Sequence, residues 1–168
     1  MTLADKVYQM TIPSGLSPRR YISGYYALNL PAPEDTSGDW HFSSVFYRYE
    51  EDPGPVTLAG EGERIDTNAI WGDWGIYCCD DSLRRRALKA PSPSYAANHF
   101  RAILDLLYES VRDGKEPAYL CWASVDYLDT EEEKALLLAK AAEMIPHLDD
   151  DGRALLEQWI REERDRER

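Results

Sequence analysis

The chain has 168 residues, 43% of them hydrophobic and 11% aromatic, and this composition excludes a disordered or fibrous protein. Its 31 acidic residues outnumber the 19 basic ones and give a formal net charge of −12, which argues against direct binding to nucleic acid or to an anionic membrane. No apolar run approaches the roughly 20 residues that cross a bilayer, and the first residues lack a basic-then-apolar leader, so we expect a cytoplasmic protein.

The first half of the chain is predicted to form strands. Aromatic and β-branched residues, separated by turns that contain proline and glycine, concentrate in five segments. These segments are 7–12, 21–30, 40–49, 56–58 and 70–79. Their spacing is typical of an antiparallel sheet.

From Ser94 onward the apolar residues recur with a helical period. Ser94 is predicted to cap a helix whose apolar stripe extends from Ala96 to Val111 and ends at Gly114. The following apolar run, 118–125, is too short to classify by its period. A buried strand and a helical turn both remain open there, and we favour the strand.

Two further helices are predicted near the end of the chain. Thr130 and Glu133 have the spacing of a capping box, and the apolar residues that follow predict a helix that stops at Pro146. The acidic triplet 149–151 precedes a last amphipathic segment with Trp159 on its apolar face. We therefore predict a single α+β domain over 1–168, in which an antiparallel sheet in the N-terminal half packs against three C-terminal helices. The strand-rich part is 1–92 and the helical part is 93–168.

Aromatic residues are unusually frequent in the predicted strands. Adjacent residues of a strand face opposite sides, so Tyr25 and Tyr26 place aromatic rings on both faces of the sheet. One face can pack on the helices, and the other needs a cover, which is a protein partner, the chain's own loops or a second protomer in a homodimer. The predicted partner-binding aromatic residues are Trp40, Phe42, Tyr47, Tyr49, Trp71, Trp74 and Tyr77.

Acidic residues outnumber basic ones between positions 126 and 151. Glu131, Glu132 and Glu133 stand at a predicted helix N-terminus, where carboxylates stabilise the helix dipole. If they also face a common surface, they attract a partner with a basic surface. We therefore add these three glutamates to the predicted contact.

The sequence predicts no catalytic residue, no cofactor and no metal site. Nucleotide-binding glycine loops and the spacing of zinc ligands are absent from it. Cys78, Cys79 and Cys121 are expected to be free, buried thiols. The carboxylates of Asp80 and Asp81 follow the first two directly and would raise the pKa of a thiol, which opposes a nucleophilic role.

Three segments resemble small uncharacterised bacterial proteins, some encoded beside nucleotidyltransferase-type toxins of abortive-infection systems. The segments are 23–33 (SGYYALNLPAP), 38–42 (GDWHF) and 70–78 (IWGDWGIYC). The resemblance implies an antitoxin-like partner of such a toxin and identifies no site residues.

Two functions follow from these observations. The first is a non-enzymatic, acidic interaction protein that binds and neutralises a basic partner, such as a toxin or another nucleic-acid-acting enzyme. The alternative is a small enzyme acting on a nucleotide or sugar, with His41 and the carboxylates of Asp39 or Asp73 around a tryptophan-lined pocket. Convergence of these three side chains in one pocket would distinguish the enzyme.

Overall fold

Short strands and helices alternate through residues 6–168, the part of the chain that the computed structural model describes. The strands are β1 (Tyr8–Gln9), β2 (Arg20–Ile22), β3 (Tyr47–Arg48), β4 (Leu58–Gly60), β5 (Ile76–Cys78) and β6 (Tyr95–Ala97). The α-helices are α1 (Gly24–Leu28), α2 (Asn68–Trp71), α3 (Asp80–Arg85), α4 (His99–Arg112), α5 (Ala123–Asp126), α6 (Glu131–Ala142) and α7 (Asp150–Asp165). This mixture confirms the predicted α+β class.

A four-stranded sheet has the strand order β4-β2-β6-β5, and β1 and β3 form a separate antiparallel pair. Tyr21 of β2 lies opposite Ala59 of β4, and Tyr77 of β5 lies opposite Ala96 of β6, both in antiparallel pairs. Ile22 and Ala96 form a parallel pair. The larger sheet is therefore mixed and not wholly antiparallel as expected, because β6 follows position 92 in the chain and inserts between two earlier strands.

Helix α4 forms the centre of the main hydrophobic core. Its apolar residues, including Leu104, Leu107 and Val111, are fully buried, and it packs against α1, α6 and α7. The helix begins later than predicted. The residues after Ser94 continue the sheet as β6, and the Asn98 side chain caps the helix by accepting from the Arg101 backbone N–H at 2.9 Å.

The C-terminus of α4 lies where the sequence predicts it. Gly114 has a φ of +69°, and its N–H donates to the Val111 carbonyl at 3.1 Å. The next N–H, that of Lys115, donates to the Ser110 carbonyl at 2.9 Å. This pair of bonds is a Schellman motif, which favours glycine at the left-handed position.

The capping signals of α6 and α7 are also confirmed. Thr130 and Glu133 form the predicted capping box, and the Asp149 side chain accepts from the Gly152 N–H at 2.8 Å. Helix α6 ends at Ala142, and Pro146 lies in a 3-10 helix, Ile145–His147, that follows it. None of the helices within residues 6–168 is long and apolar enough to span a membrane.

Several predicted strands are instead turns or helices. The segment 21–30 leaves the sheet at Gly24, whose φ of +64° begins α1, and the buried side chains of α1 pack against α4. The segment 40–49 begins with two left-handed residues and a 3-10 helix, Ser43–Phe46, before β3. The segment 70–79 contains the end of α2 and then β5. In 118–125 the favoured strand is wrong, since a 3-10 helix, Ala118–Leu120, and the start of α5 occupy it.

Candidate functional site

The predicted contact residues of the segment 40–49 differ in exposure. Trp40, Phe42 and Tyr49 have exposed fractions of 74%, 53% and 76%. Large aromatic side chains this exposed are typical of binding surfaces. Tyr47 is half-buried and packs against the smaller core cluster beneath β1 and β3. Its ring therefore contributes to the stability of the fold as well as to the surface.

The second predicted aromatic group, that of 70–77, lies mainly inside the protein. Trp71 is only 6% exposed and its Nε1 donates to the Lys140 carbonyl at 3.3 Å, so its side chain is not part of the surface, contrary to the expectation. Trp74 is half-buried beneath the Lys140 ammonium, which lies 4.7 Å from the ring centre. The hydroxyl of Tyr77 donates to the Pro31 carbonyl at 3.1 Å, and burial raises its pKa.

Trp40 and Phe42 belong to a loop, residues 31–42, that is tied to the protein on both sides. Four of its backbone N–H groups donate to acceptors outside it. These bonds join Ser37 to Asp129 Oδ2 (2.9 Å), Gly38 to the Tyr127 carbonyl (3.0 Å), Asp39 to the Leu28 carbonyl (2.9 Å) and Phe42 to Asn29 Oδ1 (2.8 Å). The loop therefore presents its aromatic side chains from a fixed backbone.

The backbone of this 31–42 loop is left-handed at four positions. Asp35, Trp40 and His41 have φ values of 62°, 59° and 57°, and Gly38 has 55°. Left-handed backbone is unfavourable for residues other than glycine and persists where surrounding bonds impose it. At Gly38 a Cβ would collide with the Leu28 carbonyl oxygen and the His99 ring, so no other residue fits there without a shift.

His41 of the 31–42 loop packs against His99, the first residue of α4. The ring centres of His41 and His99 are 5.4 Å apart. The Nε2 of His99 lies 2.8 Å from the Leu30 carbonyl and must donate to it, so Nδ1 accepts from the Thr36 hydroxyl. Burial lowers the pKa of both histidines, and His41 Nε2 is buried without a hydrogen-bond partner among the described residues. Both rings are therefore neutral near pH 7.

Three tyrosines lie beside the loop, which carries the carboxylate of Asp39. The ring centres of Tyr25 and Tyr119 are 6.3 Å apart, and both rings are partly exposed. Partial burial, followed by the nearby groups of Tyr127, Tyr119 and Asp39, raises the pKa of Tyr25 to about 12. Burial, then Asp39 and Asp126, likewise raises the pKa of Tyr127. We call Tyr25, Tyr119 and Tyr127 the tyrosine cluster.

The sequence gives little indication of the tyrosine cluster. Tyr119 lies in the run 118–125, whose apolar composition predicts burial, and its hydroxyl instead contacts the Ser110 hydroxyl at 2.6 Å beside α4. The Asn29 side chain donates to the Tyr25 carbonyl at 2.8 Å and to Asp39 Oδ2 at 3.1 Å. These contacts depend on how α1, the 31–42 loop and α5 come together, which no local pattern encodes.

The predicted acidic residues lie close to the 31–42 loop. Asp129, which binds Ser37, directly precedes the capping box of α6, so the loop and the N-terminus of this helix are adjacent. Glu131 and Glu132 are exposed, whereas Glu133 accepts from the Thr130 N–H at 3.1 Å in the capping box and from the Asp129 N–H at 2.7 Å. The carboxylates predicted to attract a partner are thus next to the exposed aromatic side chains.

The residues of the enzyme alternative lie in two different segments of the chain. Asp39 and His41 share the 31–42 loop, but Asp73 is exposed in the turn between α2 and β5. Within residues 6–168 no three His, Cys, Asp or Glu side chains are grouped to hold a metal ion.

The cysteines differ in their surroundings. Cys79 is buried, and burial together with Cys78 and Asp80 raises its pKa to about 12, which opposes a nucleophilic role as expected. Cys78 and Cys121 are exposed, contrary to the expectation of buried thiols. Cys78 is the last residue of β5, and Cys121 directly follows the 3-10 helix Ala118–Leu120.

A buried ion pair that the sequence does not reveal connects α4 to the sheet. Arg101 and Asp105 are almost fully buried, 3.4 Å apart, and Asp105 also accepts from the hydroxyls of Tyr21, Ser23 and Thr67 at 2.6–2.9 Å. Burial raises the pKa of Asp105, while the Arg101 guanidinium and the hydroxyl donors favour its charged form. All four carboxylate contacts come from within the protein, so this network positions α4 against the sheet.

Comparison of the chain with protein-family models, with curated proteins and with solved structures finds no match.

Proposed function

We propose that this chain is a non-enzymatic interaction protein that binds and neutralises a partner with a basic surface. The observation that carries the proposal is the 31–42 loop, a tightly bonded segment that exposes Trp40 and Phe42 beside acidic residues. Fixing the backbone before binding reduces the entropy that association loses. Desolvated aromatic side chains then supply most of the affinity.

Charge supports a basic partner. The net charge of −12 gives the protein a negative field, and Glu131 and Glu132 are exposed at the N-terminus of α6, which adjoins the loop through Asp129 and Ser37. Glu131 pairs with Arg168 at 3.4 Å, which leaves Glu132 as the unpaired carboxylate of the two within residues 6–168. Complementary charge speeds encounter and excludes acidic competitors, and it weakens with salt. Such a field also suits an inhibitor that occupies the phosphate-binding cleft of a nucleic-acid-acting enzyme.

Within this class we propose an antitoxin-like inhibitor that acts in the cytoplasm. The resemblance of 23–33 and 38–42 to proteins encoded beside nucleotidyltransferase-type toxins supports this choice, because these two segments build α1 and the exposed part of the loop. The exposed Cys78 and Cys121 suit a reducing compartment, where thiols do not oxidise.

Capture of the partner from the native host tests the proposal. The tagged chain is purified alongside the double variant Trp40→Ala/Phe42→Ala, and bound proteins are identified by mass spectrometry. We expect the wild type to retain a stoichiometric basic protein and the double variant to lose it, while Trp40→Phe, which keeps an aromatic ring, retains most of it. A wild-type chain that elutes alone, with all three proteins folded by circular dichroism, would contradict the proposed function.

The contact's extent is tested by Tyr49→Ala. Tyr49 is as exposed as Trp40 but follows β3, outside the loop that Asn29 and Tyr127 hold. If the contact reaches β3, this variant weakens binding by roughly 1–3 kcal/mol. Unchanged binding would confine the contact to the loop and its neighbours.

A further inference from the structure

The protein contains an internal example of how it binds an arginine. The guanidinium of Arg101 lies 5.4 Å from the ring centres of both Tyr21 and Trp71. Its Nε contacts the Asp105 carboxylate at 3.4 Å and the Thr67 hydroxyl at 3.2 Å. Two aromatic rings and one carboxylate thus surround the planar cation, and these are the groups with which a guanidinium stacks and pairs.

The tyrosine cluster offers the same kinds of group at the surface. Tyr25 and Tyr119 are 6.3 Å apart with their planes inclined by 55°, and the Asp39 carboxylate is close enough to raise the pKa of Tyr25 and Tyr127. The side-chain amide of Asn29 holds Asp39 at 3.1 Å. Unlike the buried site, the cluster holds no lysine or arginine side chain from residues 6–168.

Three other exposed or half-buried aromatic rings have a cation of their own. Arg166 lies 4.6 Å from the centre of the Trp122 ring, Lys140 covers Trp74, and Arg112 lies beside Tyr108. Within residues 6–168, no lysine or arginine covers a ring of the tyrosine cluster or forms an ion pair with Asp39. A half-buried carboxylate close to Tyr25 and Tyr127 attracts a cation from outside the chain.

We propose that the tyrosine cluster and Asp39 bind an arginine side chain of the protein partner. This inference rests on the proposed function and specifies the partner's chemistry. Arginine fits better than lysine, because its flat guanidinium can stack on a tyrosine ring while its N–H groups donate to a carboxylate. A side chain of a protein fits better than a free polyamine, since Trp40 and Phe42 in the adjoining loop are exposed to bury the apolar surface around it.

Short peptides test this site without knowledge of the partner. The ¹⁵N-labelled full chain is titrated at 150 mM salt with acetyl-Gly-Arg-Gly-amide, with its lysine analogue and with its citrulline analogue, which keeps the shape of arginine but is neutral. We expect the arginine peptide to bind with millimolar affinity and to shift the resonances of Tyr25, Asp39 and Tyr119. The lysine peptide should bind a few times more weakly, and the citrulline peptide should leave the spectrum unchanged.

Asp39→Asn is the decisive variant, because it removes the charge while an amide oxygen can still accept from Asn29. We expect it to weaken arginine-peptide binding by roughly 3- to 10-fold, in the range of an exposed charge pair. Tyr25→Leu should weaken binding to a similar degree, with folding verified by thermal melting. Asp73→Asn is the matched control, because Asp73, like Asp39, is directly followed by a tryptophan in the sequence. It removes the same charge away from the tyrosine cluster and should have no effect.

The outcomes separate this site from the proposed function. Equal affinity for arginine and lysine peptides, together with unchanged binding to Asp39→Asn, would overturn the arginine site as mere attraction to an acidic surface. A partner captured from the host and retained by both Asp39→Asn and Tyr25→Leu would also overturn it, while leaving the proposed function intact. Selective binding of the arginine peptide in a chain that captures no partner would instead support the site and contradict the proposed function.

Discussion

Replacing Arg101 by methionine should be among the most damaging single changes to this fold. The side chain is fully buried and its Nη1 donates to the carbonyls of Trp74 at 2.6 Å and Gly72 at 3.0 Å. Without the guanidinium these carbonyls lose a donor, and Asp105 keeps its hydroxyl donors but loses its counter-charge. Removing one partner of a buried ion pair costs about 3–5 kcal/mol, whereas the methionine side chain restores only the packing volume.

Urea unfolding followed by circular dichroism measures this cost. For a chain of this length, about 3–5 kcal/mol corresponds to a melting temperature lower by roughly 10 °C or more. The second change Asp105→Asn, made in the Arg101→Met background, removes the unpaired charge and should recover part of the loss. The two substitutions should therefore couple by about 1–3 kcal/mol. A cost below about 1 kcal/mol for Arg101→Met, or additive effects of the two changes, would refute the assignment of a buried ionic pair.

Three further predictions concern the 31–42 loop and its surroundings. Burial lowers the pKa of His41 and His99 in the folded protein, so the unfolded chain takes up protons first as the pH falls below about 6.5. The free energy of unfolding should therefore decrease from that pH down to the folded-state pKa, by up to about 1.4 kcal/mol per pH unit for each histidine. Urea titrations at several pH values measure this dependence, and a His99→Gln variant with the same dependence on pH as the wild type would contradict the prediction. Gly38→Ala should lower stability by about 1–3 kcal/mol, because its Cβ meets Leu28 and because its φ is positive, and a melting temperature equal to that of wild type would show that the loop shifts freely. Changing the three glutamates at 131–133 to glutamine should slow association with the partner at low salt and have little effect at high salt. Neutralising the three acidic residues at 50–52 removes the same charge and should not slow association in this way. Stopped-flow mixing of each variant with the partner measures the association rate.

The parts of the fold that the sequence predicts are those with local signals. Helices α4, α6 and α7 are recognisable because their apolar period, the capping box at Thr130 and the glycine at Gly114 all act within a few residues. The α+β class follows from the change of period between the two halves. Their physical cause is short-range, so one sequence is sufficient.

The loop and the site depend on contacts between distant segments. Aromatic residues favour strands, yet Trp40 and His41 adopt left-handed backbone in the loop that packs on His99. His99 follows His41 by 58 positions in the chain. Arg101 and Asp105 have the spacing of a common surface pair, i and i+4. They are buried because α4 packs against Tyr21 of β2 and against the segment 67–74 around α2. Trp40 and Phe42 can be singled out from the sequence, whereas the tyrosine cluster beside them cannot.

The position of β6 affects how this protein can fold during synthesis. This strand lies between β2 and β5 in the sheet, although the ribosome makes it after both of them. The ladder that joins Ile22 to Ala96 closes a segment of more than 70 residues, and such long-range pairing forms slowly. Until β6 has emerged, the edges of β2 and β5 that pair with it have no partner. A nascent chain that ends near position 92 therefore exposes unpaired strand edges and is prone to aggregate.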